Sequence, residues 1–469
     1  MRTNTSWKRL VIVVTLGAAL SGVPAYPAIS GANAADPLTR PEWSGGAPVT
    51  ARELTANPRE VSGRSLKTEL SAQANDAITE WNRQAVTLTV LPASALTPVQ
   101  QTRVMAIVQV AVHDAVNGIT NEYATYLSPG PPPEDASPVA ASIAAAHHAL
   151  RSLFDGQSAL LDPLYVASLA SHGLCDDDPG IEYGRSAAAA ILALRANDHS
   201  DEAQYAYTAP GAGTPGVWVP LTSAPALLPG WGNVTPWVLR SGWQFRPDAP
   251  PALDSEQYAR DYNEIKKIGV LNGSERTEEQ TQIAFFWRAS PTAIWNNVLS
   301  QVVATRNLDL SATARLFALF YLAAADASVA CWEAKYYYNF WRPQPAIRSG
   351  NFDGNDLTAG DGTWAPLIAT PTHPEYPSAH TTNSGAMAAI LGLVFEDDPG
   401  VSIVVTISGI TRQWDRFSQG VEEVIDARIY SGFHFRTADE VGARLGRQVA
   451  RFVWTHSLRL CAKGGFRCA

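Results

Sequence analysis

The sequence is poor in cysteine and in charged residues, and each shortage argues against some classes of binding site or partner. Its 469 residues include four cysteines, none in a C-x2-C pair, so metal binding by cysteine is not expected. Only 17% of the residues are charged and the formal net charge is -9, which argues against nucleic acid or an anionic membrane surface as a partner. No internal repeat is evident. No segment after the N-terminal region is predicted to span a membrane.

The first 34 residues have the pattern of an export signal. Three basic residues border the apolar run LVIVVTLGAAL, and an A-x-A cleavage site ends at Ala34. A retained N-terminal anchor is the alternative. We therefore expect a secreted or extracytoplasmic protein, whose mature chain is still more acidic because cleavage removes the three positive charges.

An exported chain with four cysteines is compatible with up to two disulfides. Cys461 and Cys468 flank a Lys-Gly-Gly turn, and we expect them to form a bridge that pins the C-terminal tail. The sequence itself gives no support to the remaining pairing, Cys175 with Cys331.

Helical periodicity recurs along the chain and predicts an all-α fold. The segments with this pattern are 74–90, 99–118, 137–154, 180–198, 254–268, 276–305, 311–340, 381–395 and 437–455. Residues 203–252 are instead rich in Pro, Gly and Trp, which predicts a long irregular connection. Its Trp218, Trp231 and Trp237 would either form an apolar rim around a binding site or seal two helical layers.

These patterns predict one compact, nearly all-α body made of two helical halves. The expected organisation is a signal peptide (1–34), a loosely packed arm (35–70), an N-terminal helical half (71–202), the irregular connection (203–252), a C-terminal helical bundle (253–457) and a tail (458–469).

Three short islands of charged residues and histidine stand out in the Ala-rich C-terminal half. They are Lys335-YYYNFW-Arg342-Pro343, Tyr376-Pro377-Ser378-Ala379-His380 and Arg428-IYSGF-His434. Two Arg forks and a Lys ammonium are suited to several negative oxygens, and a Ser hydroxyl adds a donor. One histidine could bond to the central atom of a tetrahedral oxyanion while the other shuttles protons.

Helical geometry supports an anion site at these islands. Lys335 and Arg342 are seven residues apart, which predicts that both lie on one face of a helix that Pro343 helps to end. Ser378 is a plausible N-cap of the apolar helix that follows it. An anion beside Ser378, Ala379 and His380 would then lie at a helix N-terminus, where free N–H groups favour negative charge.

The three islands together resemble the vanadium haloperoxidase and type 2 phosphatidic acid phosphatase superfamily. Its signature is Lys-x6-Arg-Pro, then Pro-Ser-Gly-His, then Ser-Arg-x5-His-x3-Asp, and the spacing within each island is kept. The resemblance implies paired helical bundles with the anion site in the C-terminal one.

Three positions depart from the family pattern. Ala379 replaces the Gly and Ala427 replaces the Ser, both small changes. The closing Asp, which orients the metal-linked histidine, would fall at Ala438, and the nearest acid is Asp439. Either Asp439 reaches the histidine through a shifted turn, or another acid serves, or the site is weakened.

The resemblance implies a vanadate cofactor, with no haem and no nucleotide. Vanadate would be held by Lys335, Arg342, Ser378, Ala379 and Arg428, with His434 bonded to vanadium. His380 would be the acid–base catalyst, and Lys335 would also polarise bound peroxide. Hydrogen peroxide and halide would be the substrates, with an organic acceptor as a further candidate.

The large helical N-terminal half, the covering loop and His373 before the Pro-Ser motif favour the haloperoxidase branch. His373 would be compatible with bromide or iodide, and Trp341 with the three Tyr before it would line the pocket. A secreted acid phosphatase that forms a phospho-His434 is the first alternative. A non-catalytic oxyanion-binding protein is the second, because Ala438 stands where the family has Asp.

Overall fold

The computed structural model describes residues 64–461, which form thirteen α-helices and one short β-ribbon. The helices are α1 (Arg64–Val90), α2 (Pro98–Thr120), α3 (Pro138–Leu153), α4 (Ser158–Ser171), α5 (Pro179–Arg195), α6 (Glu256–Ile268), α7 (Glu278–Phe286), α8 (Pro291–Thr305), α9 (Leu310–Tyr338), α10 (Pro343–Arg348), α11 (Ala379–Phe395), α12 (Phe417–Ser431) and α13 (Arg436–His456). The predicted export signal and Cys468 lie outside the described residues. Cys461 is disulfide-bonded, whereas Cys175 and Cys331 carry free thiols.

The all-α prediction is confirmed, with differences in detail. Helix α1 begins at Arg64, inside the segment predicted as a loosely packed arm. The predicted helix 276–305 is two helices, because the chain turns at Ser290, which caps α8 at Pro291. Helices α4, α10 and α12 were not predicted, and neither was the antiparallel ribbon of β1 (Ile403–Ile407) and β2 (Ile410–Trp414).

Helix α9 is the central element of the fold. It packs against α2 of the N-terminal helices and against α11 and α13 of the C-terminal ones. In the described part of the chain it is the one helix long and apolar enough to cross a membrane, which corrects the expectation that no such segment follows the N-terminal region. Its whole apolar window is buried inside the protein, as in the core helix of a globular domain.

The irregular connection 203–252 is anchored to α9 by a buried carboxylate. Asp326 accepts hydrogen bonds from the backbone N–H groups of Trp237, Val238 and Leu239 at 2.6, 2.8 and 2.9 Å. Within this connection Trp218, Trp231 and Trp237 are all buried. They therefore seal the helical layers and do not form an exposed apolar rim.

Helices α11 and α13 approach each other closely through glycine. A Cβ added at Gly446 would lie 2.0 Å from the Thr382 carbonyl oxygen, and one at Gly385 would lie 2.5 Å from the Ala443 carbonyl oxygen. Only glycine permits such contact between backbones. The close packing brings the start of α13 beside the start of α11, where Ser378 N–H donates to the Ala438 carbonyl at 3.0 Å.

Candidate active site

The first island forms the base of the site, although not on one helix as predicted. Helix α9 ends at Tyr338, because Asn339 takes the left-handed conformation, and Arg342 is the residue before α10. The two cations meet because both bind the segment 373–375. Lys335 Nζ donates to the Pro374 and Glu375 carbonyls, each at 2.8 Å, and Arg342 Nε donates to the His373 carbonyl at 3.0 Å.

The second island places a free hydroxyl at a helix start. Ser378 is the N-cap residue of α11, but its side chain makes no capping bond, and its buried Oγ has no hydrogen-bond partner among the described residues. The first N–H groups of α11, beginning at Ala379, have no acceptor within the helix. The Ser378 hydroxyl and these N–H groups are therefore available to an anion.

The third island comes from α12 and the turn after it. Arg428 is buried, donates through one terminal nitrogen to the Trp287 carbonyl at 2.7 Å, and stacks over Phe433 at 4.3 Å. Its Nε has no partner in the described chain. His434 is buried, and its Nε2 lies 3.1 Å from a terminal nitrogen of Arg342.

Glu375 is the residue of this site that sequence reasoning missed. Its Oε1 shares a hydrogen bond with His434 Nδ1 at 2.9 Å and accepts the Phe435 N–H at 3.0 Å, and the side chain is fully buried. The available signal was its place two residues before the Pro-Ser motif, beside a cluster of cations that a buried carboxylate would help to neutralise.

Asp439 does not contact His434, although the sequence pattern made it the nearest candidate. Both of its carboxyl oxygens are buried, and neither accepts a hydrogen bond from any of residues 64–461. Ser378 and Arg428 lie close enough to favour its charged form, yet burial dominates and raises its pKa well above the ordinary value. The family Asp is therefore not replaced by Asp439. The acid that contacts His434 is Glu375, which is the second of the three possibilities that the sequence left open.

Burial sets the protonation states across the site. It lowers the pKa of Lys335 to about 7 and that of Arg342 to about 10, and it raises the pKa of Glu375 to about 8. The pKa values of His380 and His434 are held well below the ordinary value, first by burial and then by neighbouring cations. Both histidines are therefore neutral near pH 7.

A cavity of about 320 Å³ leads to the site. His380, Arg428 and Phe433 line it, together with Phe285, Arg288 and residues 367–369 and 371. His380 is partly exposed there, and its Nε2 lies 3.2 Å from the Ala289 carbonyl, which accepts the ring proton.

The aromatic side chains predicted to line this cavity lie elsewhere. Trp341 packs in a second hydrophobic cluster, and Tyr336 and Tyr338 bond to backbone carbonyls at 227 and 247. Tyr337 is exposed. His373 is buried, packs at a tilt against Trp332 and receives a hydrogen bond from Arg342 at 3.0 Å, so it contacts the cation that would hold the anion.

The side chains present fit a tetrahedral oxyanion. Two guanidinium groups, one ammonium, one free hydroxyl and a helix N-terminus converge, while Ser378 Oγ and Arg428 Nε are buried donors without partners. Among residues 64–461 no group of three His, Cys, Asp or Glu could hold a metal ion. An oxyanion held by these donors and by one histidine needs no such group.

Comparison with solved structures identifies the fold first. The structure superposes with a TM-score of 0.70 on that of the first bacterial vanadium-dependent iodoperoxidase, at 24% identity, covering 87% of this chain and 100% of that one. An apo bacterial vanadium-dependent chloroperoxidase gives a TM-score of 0.60 at 16% identity, over 77% of this chain and 95% of that one. At these identities the likeness shows the paired-bundle fold.

Sequence comparison gives the family of the C-terminal bundle. Residues 315–463 match the family model of the VCPO second helical-bundle domain. The vanadium chloroperoxidase of Curvularia inaequalis is 26% identical, and the match covers 34% of this chain and 31% of that enzyme's length. Residues 315–463 of the C-terminal bundle thus resemble this domain, and the resemblance to the vanadium haloperoxidase superfamily, in its haloperoxidase-like branch, is confirmed.

Proposed function

We propose that this protein is an exported vanadate-dependent haloperoxidase, which uses hydrogen peroxide to oxidise halide: H₂O₂ + X⁻ + H⁺ → HOX + H₂O. The observation that carries the proposal is that the positive charges of Lys335, Arg342 and Arg428 surround the buried ring of His434. Two buried donors of the same site, Ser378 Oγ and Arg428 Nε, have no partner among the described residues. The related haloperoxidases make vanadate the expected oxyanion. Export rests on the sequence pattern of residues 1–34.

The cations and the hydroxyl would hold the anion. Arg342, Arg428 and Lys335 would neutralise its oxygens, Ser378 and the Ala379 N–H would donate to them, and His434 Nε2 would be its protein ligand. Bound vanadate would supply the centre at which peroxide is activated toward halide. Lys335 would stabilise negative charge on the bound oxygens.

His380 would move the proton of the reaction. Its ring is neutral and lines the cavity through which peroxide enters. Because the Ala289 carbonyl holds the Nε2 proton, Nδ1 is the nitrogen free to accept one. His380 would therefore take a proton from entering hydrogen peroxide and return it as water leaves.

The halide is proposed to be bromide or iodide, because a histidine is found at the position of His373 in haloperoxidases of the resembling family that use these halides. A secreted acid phosphatase remains the second candidate, since a buried carboxylate on Nδ1 would also suit His434 as a nucleophile.

The test of the proposal is a paired assay on one preparation of the full chain. The protein is incubated with orthovanadate, freed of excess, and assayed for peroxide-dependent halogenation with each halide and, without vanadate, for aryl phosphate hydrolysis. Vanadate-dependent halogenation supports the proposal. Phosphate release alone would show that the same residues catalyse the phosphatase reaction. Inactivity in both assays would favour a non-catalytic oxyanion-binding protein.

A further inference from the structure

We propose that Glu375 positions His434 for bonding to the central atom of the oxyanion, in place of the carboxylate that Ala438 and Asp439 do not provide. The proposal rests on the proposed function only for the identity of the anion. Glu375 touches no reacting atom in this account, so it is a positioning residue.

The contacts of His434 define a single neutral tautomer. Glu375 Oε1 accepts the Phe435 N–H at 3.0 Å and lies 2.9 Å from His434 Nδ1. In its carboxylate form Glu375 can only accept, so Nδ1 then carries the ring proton. On the other side, the Arg342 guanidinium lies 3.1 Å from Nε2 and can only donate. Both neighbours therefore leave the lone pair on Nε2.

The same contacts fix the direction of the ring. Nδ1 is tied to a carboxyl group that is itself held by the backbone of the next residue, and the whole arrangement is buried. A carboxyl acceptor on one ring nitrogen strengthens the other nitrogen as a ligand. An anion that binds at Nε2 would displace the contact between Arg342 and that nitrogen. The guanidinium would then donate its hydrogen bond to an anion oxygen.

No other described acid makes this contact. Asp439 has no hydrogen bond to His434, its carboxyl facing Ser378 and Arg428. Position 438 is alanine. The contact that orients His434 thus comes from the segment before α11, 59 residues earlier in the chain, instead of from α13.

The tautomer is measured directly in the anion-free protein. Full-length protein labelled with [15N]histidine is examined by proton–nitrogen correlation of the ring signals, with His434→Gln assigning the His434 resonance. Glu375→Ala removes the acceptor, Glu375→Met does so while filling the space, and Glu375→Gln keeps an oxygen. The Phe435 N–H should hold that amide oxygen in the place of Oε1, so Glu375→Gln should retain the tautomer.

We expect the Nδ1–H tautomer in the wild type and in Glu375→Gln, and its loss in Glu375→Ala and Glu375→Met. Orthovanadate affinity should fall about 10- to 100-fold in the last two variants, as for other partners of metal-bound histidine. Sulfate has the same tetrahedral shape as vanadate but forms no bond to histidine. Its affinity for these two variants should lie within about threefold of the wild-type affinity or exceed it, because the variants lack the buried acid near the cations.

Asp326→Asn is the matched control, because Asp326 is equally buried but anchors the irregular connection. It should lower stability and leave the His434 tautomer unchanged. The proposal is overturned if Glu375→Ala or Glu375→Met keeps the Nδ1–H tautomer and wild-type vanadate affinity, or if vanadate and sulfate weaken equally. A wild type that shows the expected tautomers but binds no vanadate would instead overturn the proposed function.

Discussion

Buried donors without partners define the site at the scale of single residues. Ser378 Oγ and Arg428 Nε each lie in the interior with no hydrogen-bond partner in the described chain. Leaving such a group unpaired costs about 1–3 kcal/mol, and more where the group is charged. A bound oxyanion would remove both costs at once, so we expect tetrahedral anions to stabilise the folded protein.

His380→Ala should separate binding from turnover. The residue lines the cavity but is not proposed to bond to the anion, so vanadate should bind with nearly wild-type affinity. Loss of a positioned acid–base group should lower kcat about 10²- to 10⁴-fold. Equilibrium dialysis and steady-state halogenation measure the two quantities, and a variant that keeps full kcat would remove His380 from the mechanism.

Anion affinity should depend on pH through Lys335. Its folded-state pKa is lowered from 10.5 to about 7 because the ammonium is buried, so it loses its charge as the pH rises through 7. Glu375, with a pKa of about 8, gains negative charge just above that. Both changes oppose anion binding, whereas Arg342, with a pKa of about 10, stays charged.

Sulfate is the suitable probe of this dependence because its own charge is constant from pH 6 to pH 9. Its affinity, measured by calorimetry, should be highest near pH 6 and fall by roughly tenfold or more by pH 9. Lys335→Gln should flatten the part of the profile around pH 7 and leave the part above pH 8. A wild-type affinity that rises with pH would contradict these assignments.

Most of the site residues follow from sequence spacing, and one does not. The Lys-x6-Arg-Pro, Pro-Ser-x-His and Arg-x5-His spacings identified the cations, Ser378 and both histidines. Glu375 was missed because its role depends on a contact with His434 across 59 residues. Asp439 was chosen by proximity in sequence, and its position on α13 directs its carboxyl toward Ser378 and Arg428 instead.

At the scale of elements, close packing of α11 against α13 holds the second and third islands together. Gly385 and Gly446 let the two backbones approach, and Ser378 N–H then reaches the Ala438 carbonyl. These glycines lie in the segments 381–395 and 437–455, which the sequence predicts only as helices. Periodicity shows that a face is buried, but it does not show how near the opposing backbone lies.

Gly446→Ala should destabilise the protein. The new methyl would lie 2.0 Å from the Thr382 carbonyl oxygen, a backbone atom that cannot move without shifting α11. We expect a loss of about 1–3 kcal/mol in the free energy of unfolding, measured by urea denaturation. Sulfate affinity should fall as well, because the start of α11 carries Ser378 and His380.

Gly392→Ala, on the partner helix α11, is the control for that substitution. Its added methyl would have only one neighbour within 4 Å, the Asp397 nitrogen at 3.9 Å. Alanine is favoured over glycine inside a helix by about 0.5–1 kcal/mol, so this variant should be as stable as the wild type or more so. Equal destabilisation of both variants would contradict the close-packing account.

The helices that were missed have recognisable causes. Helix α4 contains Pro163, which weakens a helical interpretation, and α10 is only six residues long. In α12 the segment Gln-Gly-Val-Glu-Glu lacks a clear apolar stripe, although the helix carries Arg428 to the site. The Ser290-Pro291 step divides a continuous periodic pattern into α7 and α8.

For the molecule as a whole, the site is a local concentration of positive charge in an acidic protein. The formal net charge is -9, yet one ammonium and two guanidinium groups are buried around a single position. Burying such groups is costly unless partners neutralise them. The backbone carbonyls that accept hydrogen bonds from these cations offset part of that cost, and the bound anion would offset more.

The central claim is that one vanadate binds at His434, and equilibrium dialysis with metal analysis tests it most directly. The full-length protein, dialysed against orthovanadate and then freed of excess, should retain about one vanadium per chain. His434→Ala should retain none, while sulfate still binds through the cations and Ser378. If His434→Ala retains vanadium at the wild-type level, the assignment of His434 as the ligand is wrong.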